Sequence, residues 1–524
     1  MLGTNKSVCA CPTRPARTQT PAVFRRYYKT AGVGSQLFLS RSKNARLAII
    51  MILKDEIEQK SKEQEITTAN VQRDYLFGWL LNYIYTKSEL KMSLFLKGGN
   101  ALRKAYFIKT RFSSDLDFGT PNDIDQNFLK QEIEKACQFV AEKSGIAFVF
   151  ERNDVKEKFN WNEPRWKVFE VKIYFKDFYG NSDHITLKIS LDITRFDKTY
   201  LDIQERTLLH PYSDASSVVC QIKCMQLEEI LATKLKCLLQ RDYAPDLFDF
   251  IYSIYLNNDI PINKADIKRV FLQRTIFERS PNVAKNILLK LPFEYMKAVW
   301  LKTIICTQDI FFDFDDAFAK FTSEIEALFT GDAENPWHDR YFFEAETRNK
   351  IMRAGKDQTL LKVVYQGAER FVEPYSLKFQ EKSDGTAKEY LYVWNRNGGS
   401  SSKPGIRMFV PENLTSIENT EEKYDPQYEI ELCRAGEYPE ERYLYDRNKK
   451  REKEFNKLYK TTAPRQSRSA RPHTPSFGPT YVYKCGNCGK LSYRKTMDGA
   501  LRPHKSKNGG FMCYGYGIYQ TTKY

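Results

Sequence analysis

The residues best suited to chemistry lie in FLKGGNALRKAYFIKTRFSSDLDF, residues 95–118. Gly98-Gly99 follows a short apolar stretch and precedes a helical pattern. Exposed backbone N–H groups and the positive end of a helix dipole then converge on one point, which suits a triphosphate. Asp115 and Asp117 stand two apart in an alternating segment, so on a strand both carboxylates share one face. Two such carboxylates repel unless cations lie between them, and Mg²⁺ is the natural cation when phosphate is the other ligand. A third acid, Asp192, belongs to LKISLDIT, where Leu187, Ile189, Leu191 and Ile193 make a buried face and Lys188, Ser190 and Asp192 the other. Three aspartates around two cations would lower the pKa of an attacking hydroxyl and neutralise a leaving pyrophosphate. Asp192 would be the base or metal ligand beside that hydroxyl. Each piece alone has an ordinary reading, a turn for Gly-Gly and a solvated strand end for Asp-x-Asp.

Two further constellations carry chemistry. Lys234 and Arg241 are seven apart and would share a helix face, aiming two cations at one anion, with Asp246 and Asp249 placed to orient them. Near the C-terminus, Cys485 and Cys488 form a C-x-x-C knuckle and His504 and Cys513 follow. That set can close a tetrahedral Zn²⁺ site, and so short a segment could scarcely fold without one. Tyr481, Tyr483, Tyr493, Tyr514, Tyr516 and Tyr519 are interleaved with lysines and arginines there, a stacking-plus-cation surface for RNA or single strands, although some of them must pack the ribbon. Cys220, Cys224 and Cys237 have apolar neighbours on or near a helix and read as core.

The elements that must position these residues alternate in type. Ile66–Thr86 has helical spacing, Leu94–Leu96 is a short strand, Asn100–Phe107 a helix and Phe128–Ser144 an amphipathic helix. Ile146–Phe150, Lys167–Phe175 and Ile185–Thr194 read as strands; Gln226–Arg241, Asp246–Tyr255 and most of Lys264–Phe329 read as helix. Residues 51–330 therefore form an α/β or α+β catalytic-type domain with a helical C-terminal part. Beyond Asn335-Pro336 come short strands, Leu360–Tyr365, Val372–Gln380, Glu389–Trp394, Ile406–Val410 and Thr415–Ile417, which suggest a small barrel over 340–435. Residues 436–478 are a charged, then Arg/Ser/Pro-rich linker, and 479–524 are the ribbon.

The first domain resembles the AbiEii/AbiGii nucleotidyltransferase toxins. Gly98-Gly99-Asn100-Ala101-Leu102-Arg103, the segment Arg111–Phe118, the helix Leu227–Leu235 and the opening helix residues Val71–Tyr75 carry the resemblance, which covers about 66–260 and extends toward 330. It implies a DNA polymerase β-like nucleotidyltransferase core using an NTP and Mg²⁺, encoded as the toxin of a toxin–antitoxin or abortive-infection pair. By that resemblance Asp115, Asp117 and Asp192 are the catalytic metal ligands. Gly98, Gly99, Asn100, Arg103, Lys234, Arg241 and Asp246 line the nucleotide. Asn100 stands where Thr or Ser is usual, and Pro245 where an Arg is expected. The strand-rich segment resembles a WYL domain, an Sm/SH3-like barrel, through Val364-Tyr365, Arg370–Tyr375, Tyr390–Trp394 and Arg407–Phe409. That likeness implies an anionic or nucleic-acid ligand on Arg370 and Arg407, with Val410 and Asn413 replacing two further arginines. The C-terminal segment is similar to bacterial zinc ribbons with a CxxCG start.

At 524 residues and 61.4 kDa the chain exceeds one compact domain, and 42% hydrophobic residues exclude a wholly disordered one. Charge is unevenly placed. Residues 1–50 hold 9 Lys/Arg and no acid, and 447–524 hold 18 Lys/Arg against 3 acids. The remaining 55 basic and 63 acidic residues leave the body at −8. A basic tail beside an acidic body is the footprint of phosphate-backbone contact, and a solubilising tail is the plain alternative. Eleven scattered cysteines without a secretory leader fit reduced thiols and a cytoplasmic location. No apolar run reaches the roughly 20 residues of a membrane span. Residues 1–50 read as a disordered basic extension, with Met51 opening the protein-like stretch. The function expected is NMP transfer from NTP to an RNA, such as tRNA, or to a protein hydroxyl, with a cognate antitoxin as partner. The alternative is a nucleotide-sensing regulator or defence scaffold without catalysis.

Overall fold

The computed structural model describes residues 52–157, 168–179, 185–257, 259–335, 339–381, 387–397, 404–428, 430–437, 480–494, 501, 504–505, 512–513 and 515–523. The expected extension 1–50, the start at Met51 and most of the linker 436–478 lie outside them. The chain divides into two compact units, Met1–Asp446 and Arg447–Tyr524.

In the first unit, α1 (Lys54–Glu63) and α2 (Thr68–Thr86) lead to β1 (Phe95–Lys97), α3 (Gly98–Ala101) and β2 (Asp115–Thr120). Then follow α4 (Gln126–Ser144), β3 (Asp154–Glu157), β4 (Val168–Lys176), β5 (Thr186–Arg195), β6 (Gln204–Thr207) and β7 (Gln221–Cys224). These strands form one mixed sheet in the order β3-β4-β5-β2-β1-β7-β6. β2 runs parallel to β5 and β1 parallel to β7; the other neighbours are antiparallel. Alternation along β2 and β5 turns Leu116, Phe118, Ile189, Leu191 and Ile193 into the core and leaves the other face polar. α2 is buried on nearly every side, as a helix apolar all round must be. Its Thr67 cap accepts from Asn70 N–H at 3.3 Å.

The region expected as strand Ile146–Phe150 is instead a single bridge, Phe148 to Phe175, followed by a 3₁₀ turn at Phe150–Arg152; the edge strand is β3. The helix begun at Gly98 passes into a π-helical turn over Leu102–Tyr106, closed by Phe107 N–H on the Leu102 carbonyl at 2.7 Å. Cys224 ends β7, close before the helix that starts at Leu227, and is fully buried, as the core reading expects.

Helices α5 (Leu227–Leu238), α6 (Ala244–Ile251), α7 (Lys264–Arg274), α8 (Pro281–Leu289), α9 (Phe293–Thr303) and α10 (Phe314–Leu328) form the helical part. Phe248 stacks on Phe312 at 4.6 Å, and Trp300 packs beside both. The helix Ala345–Asp357 then lies against a five-stranded antiparallel sheet, β8 (Thr359–Tyr365), β9 (Ala368–Glu381), β10 (Ala387–Asn395), β11 (Gly405–Phe409) and β12 (Leu414–Lys423), in the order β11-β10-β9-β8-β12. The last strand returns to the first, as a small barrel needs, but the pairings among described residues leave an open sheet. It has its own core around Ile351, Val363, Val372 and Leu391. Ile276 N–H donates to the Gly436 carbonyl at 3.0 Å, and Lys236 meets Glu437 at 2.9 Å, tying the chain beyond β12 to the helical part. No helix among the described residues is long and apolar enough to cross a membrane.

The second unit has β13 (Thr480–Cys485), β14 (Leu491–Arg494), β15 (His504–Lys505), β16 (Met512–Cys513) and β17 (Gly517–Lys523). Its three-stranded sheet runs β14-β13-β17, beside the β15-β16 pair.

A buried ion cluster ties α2 to the turn after Gly98. Asp74, fully buried, accepts from Arg103 Nε at 2.7 Å and lies 3.0 Å from Lys104 Nζ. Burial alone would raise the Asp74 pKa, but Arg103 and Lys104 hold it below the usual carboxylate range. Asp74→Asn should cost about 3–5 kcal/mol, because it strands a buried lysine. The urea unfolding midpoint measures this, and a loss under about 1 kcal/mol, an exposed pair's worth, would refute it.

Candidate functional site

The polar face of the seven-stranded sheet gathers the acids. β2 and β5 pair in register with Asp117 beside Asp192 and Asp115 beside Ser190. Neighbouring strands lie about 4.8 Å apart, so the three carboxylates crowd one patch. The register extends the row to Lys97 on one side and Glu170 on the other. Burial, then Asp192 and Asp115, pushes the Asp117 carboxyl up to about 6, against the pull of Lys97 and Lys234.

Glycine is required where β1 ends. Gly98 has φ +70°, and a Cβ there would stand 2.4 Å from Asp117 Oδ2, so its backbone lies directly against that carboxylate. A Cβ on Gly99 would meet Ser113 Oγ at 2.8 Å and Arg111 Nη2 at 3.0 Å. Asn100, fully buried, donates from Nδ2 to the Ser113 and Asp115 carbonyls at 3.2 and 2.6 Å. It pins the strand that carries Asp115. The Arg103 side chain donates to Asp74, the Thr110 carbonyl and Gln64.

Behind the glycines runs a line of alternating charges, buried except at Arg241. Arg111 grips Asp249 with Nε and Nη2 at 2.6 and 2.7 Å. Lys234 bridges Asp249 at 2.7 Å and Asp246 at 2.8 Å, and Arg241 meets Asp246 at 2.9 Å. Three cations against two carboxylates leave one positive charge over. Burial works against the Lys234 ammonium, yet Asp246 and Asp249 outweigh it and raise its pKa above the ordinary lysine value. Burial would raise Asp246, but Arg241 and Lys234 hold it at about 2. Lys234 is thus no solvated surface residue. α5 stops at Leu238, so Arg241 joins Lys234 through Asp246 and not along a shared helix face.

Four neighbours escaped the sequence reading. Lys97 and Glu170 appear only once the strands are paired, and Glu170 also meets Lys172 at 2.8 Å. Arg111 opened a recognised segment without an assigned partner. Arg73, held by the Lys188 carbonyl at 3.0 Å and Asn70 at 2.7 Å, acts electrostatically on Asp115. It lies in the segment Val71–Tyr75 that carries the family resemblance, where no role was assigned to it.

Residues 79–300 match a protein family described as the nucleotidyl transferase AbiEii toxin of type IV toxin–antitoxin systems. These residues form an AbiEii-type nucleotidyltransferase domain. No curated protein matches the chain. Among solved structures the chain is similar to MenT4, a nucleotidyltransferase toxin from Mycobacterium tuberculosis H37Rv, at 15% identity and a TM-score of 0.36, covering 54% of this chain and 91% of that one. The AbiEii-type domain contains all three aspartates, both glycines and the whole charge line within the matched residues.

In the second unit the ligand atoms of Cys485, Cys488, His504 and Cys513 all lie within 4.8 Å of one another. Cys485 and Cys513 sulfurs stand 3.5 Å apart, and Cys488 Sγ is 3.2 Å from His504 Nε2. These separations approach the edges of a tetrahedron with metal–ligand bonds of about 2.0–2.3 Å. Gly515 is required, since a Cβ there would meet Cys485 Sγ at 2.4 Å. Tyr483 is buried in the ribbon, whereas Tyr493, Tyr516 and Tyr519 are exposed. In the five-stranded sheet, Arg370 faces Val363 and Arg407 faces Val393 across their strand pairs.

The crowding has a pH signature in metal-free protein. The raised Asp117 pKa means the folded state binds more protons than the unfolded between about pH 4 and 6, so this group's contribution falls as pH rises through that window. Asp117→Asn should therefore raise stability by up to about 3 kcal/mol at pH 7.5 and by little at pH 4. Thermal melts in EDTA at both values test it, and an equal effect at both would contradict it.

Proposed function

We propose that the AbiEii-type domain transfers a nucleoside monophosphate from an NTP to a hydroxyl of an RNA, releasing pyrophosphate, as the toxin of a toxin–antitoxin pair. The single observation that carries this reading is the pairing of Asp117 beside Asp192, two residues from Asp115, with Gly98 against the Asp117 carboxylate. That donor set fits divalent cations: three hard carboxylates, one of them raised to about 6 by burial and then by its neighbours, meet beside a cradle that a Cβ would fill. Two bound Mg²⁺ would activate the attacking hydroxyl and neutralise the leaving pyrophosphate.

The chain's own groups do the rest. Backbone N–H groups at Gly98-Gly99 cradle the triphosphate at a helix start, and the surplus charge of the Arg111–Asp249–Lys234–Asp246–Arg241 line favours the polyanion. Preorganised cations of this kind stabilise charge that develops on departing phosphate without reorganising. Asp192, which lies on the edge of the trio nearer Glu170, takes the hydroxyl proton in this reading. RNA is favoured as acceptor by the 18 basic against 3 acidic residues of 447–524 and by the exposed Tyr493, Tyr516 and Tyr519 of the ribbon. Zn²⁺ would hold that ribbon through Cys485, Cys488, His504 and Cys513, since three soft thiolates and one imidazole suit it.

Incubation with each α-³²P NTP, Mg²⁺, total RNA and cell extract should label RNA. Asp115→Ala and Asp117→Ala should each reduce labelling at least 10³-fold. Label on protein alone would overturn the acceptor, and undiminished labelling by both variants would overturn the site. Purified protein should also carry one zinc per chain by elemental analysis, and Cys485→Ser with Cys513→Ser should remove it. A full zinc complement in that double variant would contradict the ligand set.

A further inference from the structure

The sheet face that carries the aspartates continues past Asp192 onto β4 and β3, and its far part is basic and aromatic. Beside Asp192 stands Glu170, paired to Lys172 at 2.8 Å. Four residues before Asp192 on β5 comes Lys188, on the same face and opposite Tyr174 of β4. Lys188 is exposed and Tyr174 half-buried, so the pair looks into solvent. The exposed Arg152 lays its guanidinium over the Tyr174 ring, 4.3 Å from the centroid. Arg73 of α2 donates to the Lys188 carbonyl at 3.0 Å and acts electrostatically on Asp115, which joins this patch to the aspartates.

A solvated strand face ordinarily answers its charges, as Lys172 does with Glu170 and Lys156 with Asp154 at 2.7 Å. Arg73, Arg152 and Lys188 depart from that pattern: among the described residues none of the three forms a salt bridge. Three unanswered cations around one half-buried ring make the kind of surface that single-stranded nucleic acid uses, with phosphates on the cations and a base stacked on the ring or on a guanidinium plane. A peptide acceptor has no need of the stack, and its own cations would be repelled here.

The position of the patch fits the reaction. Gly98 closes β1 on one side of β2, whereas β5 and β4 lie on the other. In-line displacement puts the attacking hydroxyl opposite the leaving pyrophosphate, so with the triphosphate at Gly98 the acceptor approaches across β5. Lys188 is two residues from Ser190, the strand neighbour of Asp115, which at about 3.3 Å per residue sets it roughly 7 Å along β5, within the span of one extended nucleotide. We propose that the open face of β4 and β5 holds the acceptor RNA as a single strand. The base next to the reacting hydroxyl stacks on the Arg152–Tyr174 pair, and the adjoining phosphates meet Arg73 and Lys188. This rests on the nucleotidyl transfer proposed above and adds where its acceptor lies.

The test uses the full chain with total RNA for labelling, and a single-stranded transcript with 4-thiouridine in place of uridine for crosslinking in EDTA, where no transfer occurs. Wild type should crosslink through the peptide that contains Tyr174. Tyr174→Ala should raise the apparent KM for RNA about tenfold with KM for NTP unchanged, and Tyr174→Phe, which keeps the ring, should restore it. Arg152→Gln and Lys188→Gln, both at exposed positions, should each flatten the slope of log affinity for RNA against log salt by about 0.7. RNA labelling with wild-type KM, salt slope and crosslinks in all these variants, or crosslinks confined to the ribbon, would overturn the face and leave the transfer standing. A Tyr174 crosslink with no label on RNA would overturn the transfer and keep the face as an RNA site. Neither label nor crosslink would overturn both.

Discussion

Carboxylates on adjacent strands repel one another, and the repulsion grows as water is withdrawn. In this protein the backbone ladder between β2 and β5 holds Asp117 beside Asp192 whatever their charge, because sliding by one residue would turn Leu116, Phe118, Leu191 and Ile193 out of the core. The core thus enforces an electrostatic conflict at the surface of the sheet. Burial, and then that conflict, push the Asp117 carboxyl up to about 6. Divalent cations resolve it most directly, and the nearest fixed positive charges of the protein, Lys97 and Lys234, ease it without removing it.

The line of alternating charges behind the glycines belongs to the same logic. A lysine buried without partners would shed its proton, and Asp246 and Asp249 keep Lys234 charged. Arg111 and Arg241 close the two ends. In the proposed reaction the two aspartates act at one remove, by holding these cations in place. Pro245 at the start of α6 costs a cation at its own position, yet its ring suits the first helical turn that presents Asp246.

Much of this site was legible in the order of residues. The period-two alternation of DLDF and LKISLDIT exposes the acids on one face, and Gly98 marks a backbone that a side chain would obstruct. What escaped reading has physical causes. Asn100 and Arg103 neighbour the glycines in sequence, and the inward turn of their side chains, on a helix that widens into a π turn, shows in no local pattern. β6 and β7 are four residues each, too short to show a period, although β7 is the parallel neighbour of β1. Lys97 and Glu170 join the row only through pairing between strands distant in sequence. In the five-stranded sheet the strands were announced by their turn residues.

The most direct test of the carboxylate cluster is a crystal structure with Mn²⁺ and a non-hydrolysable NTP, read by anomalous diffraction. The account predicts two manganese peaks about 3.5–4 Å apart, ligated by Asp115, Asp117 and Asp192, with the triphosphate against Gly98-Gly99. Manganese bound elsewhere, or a nucleotide seated away from those glycines, would contradict it.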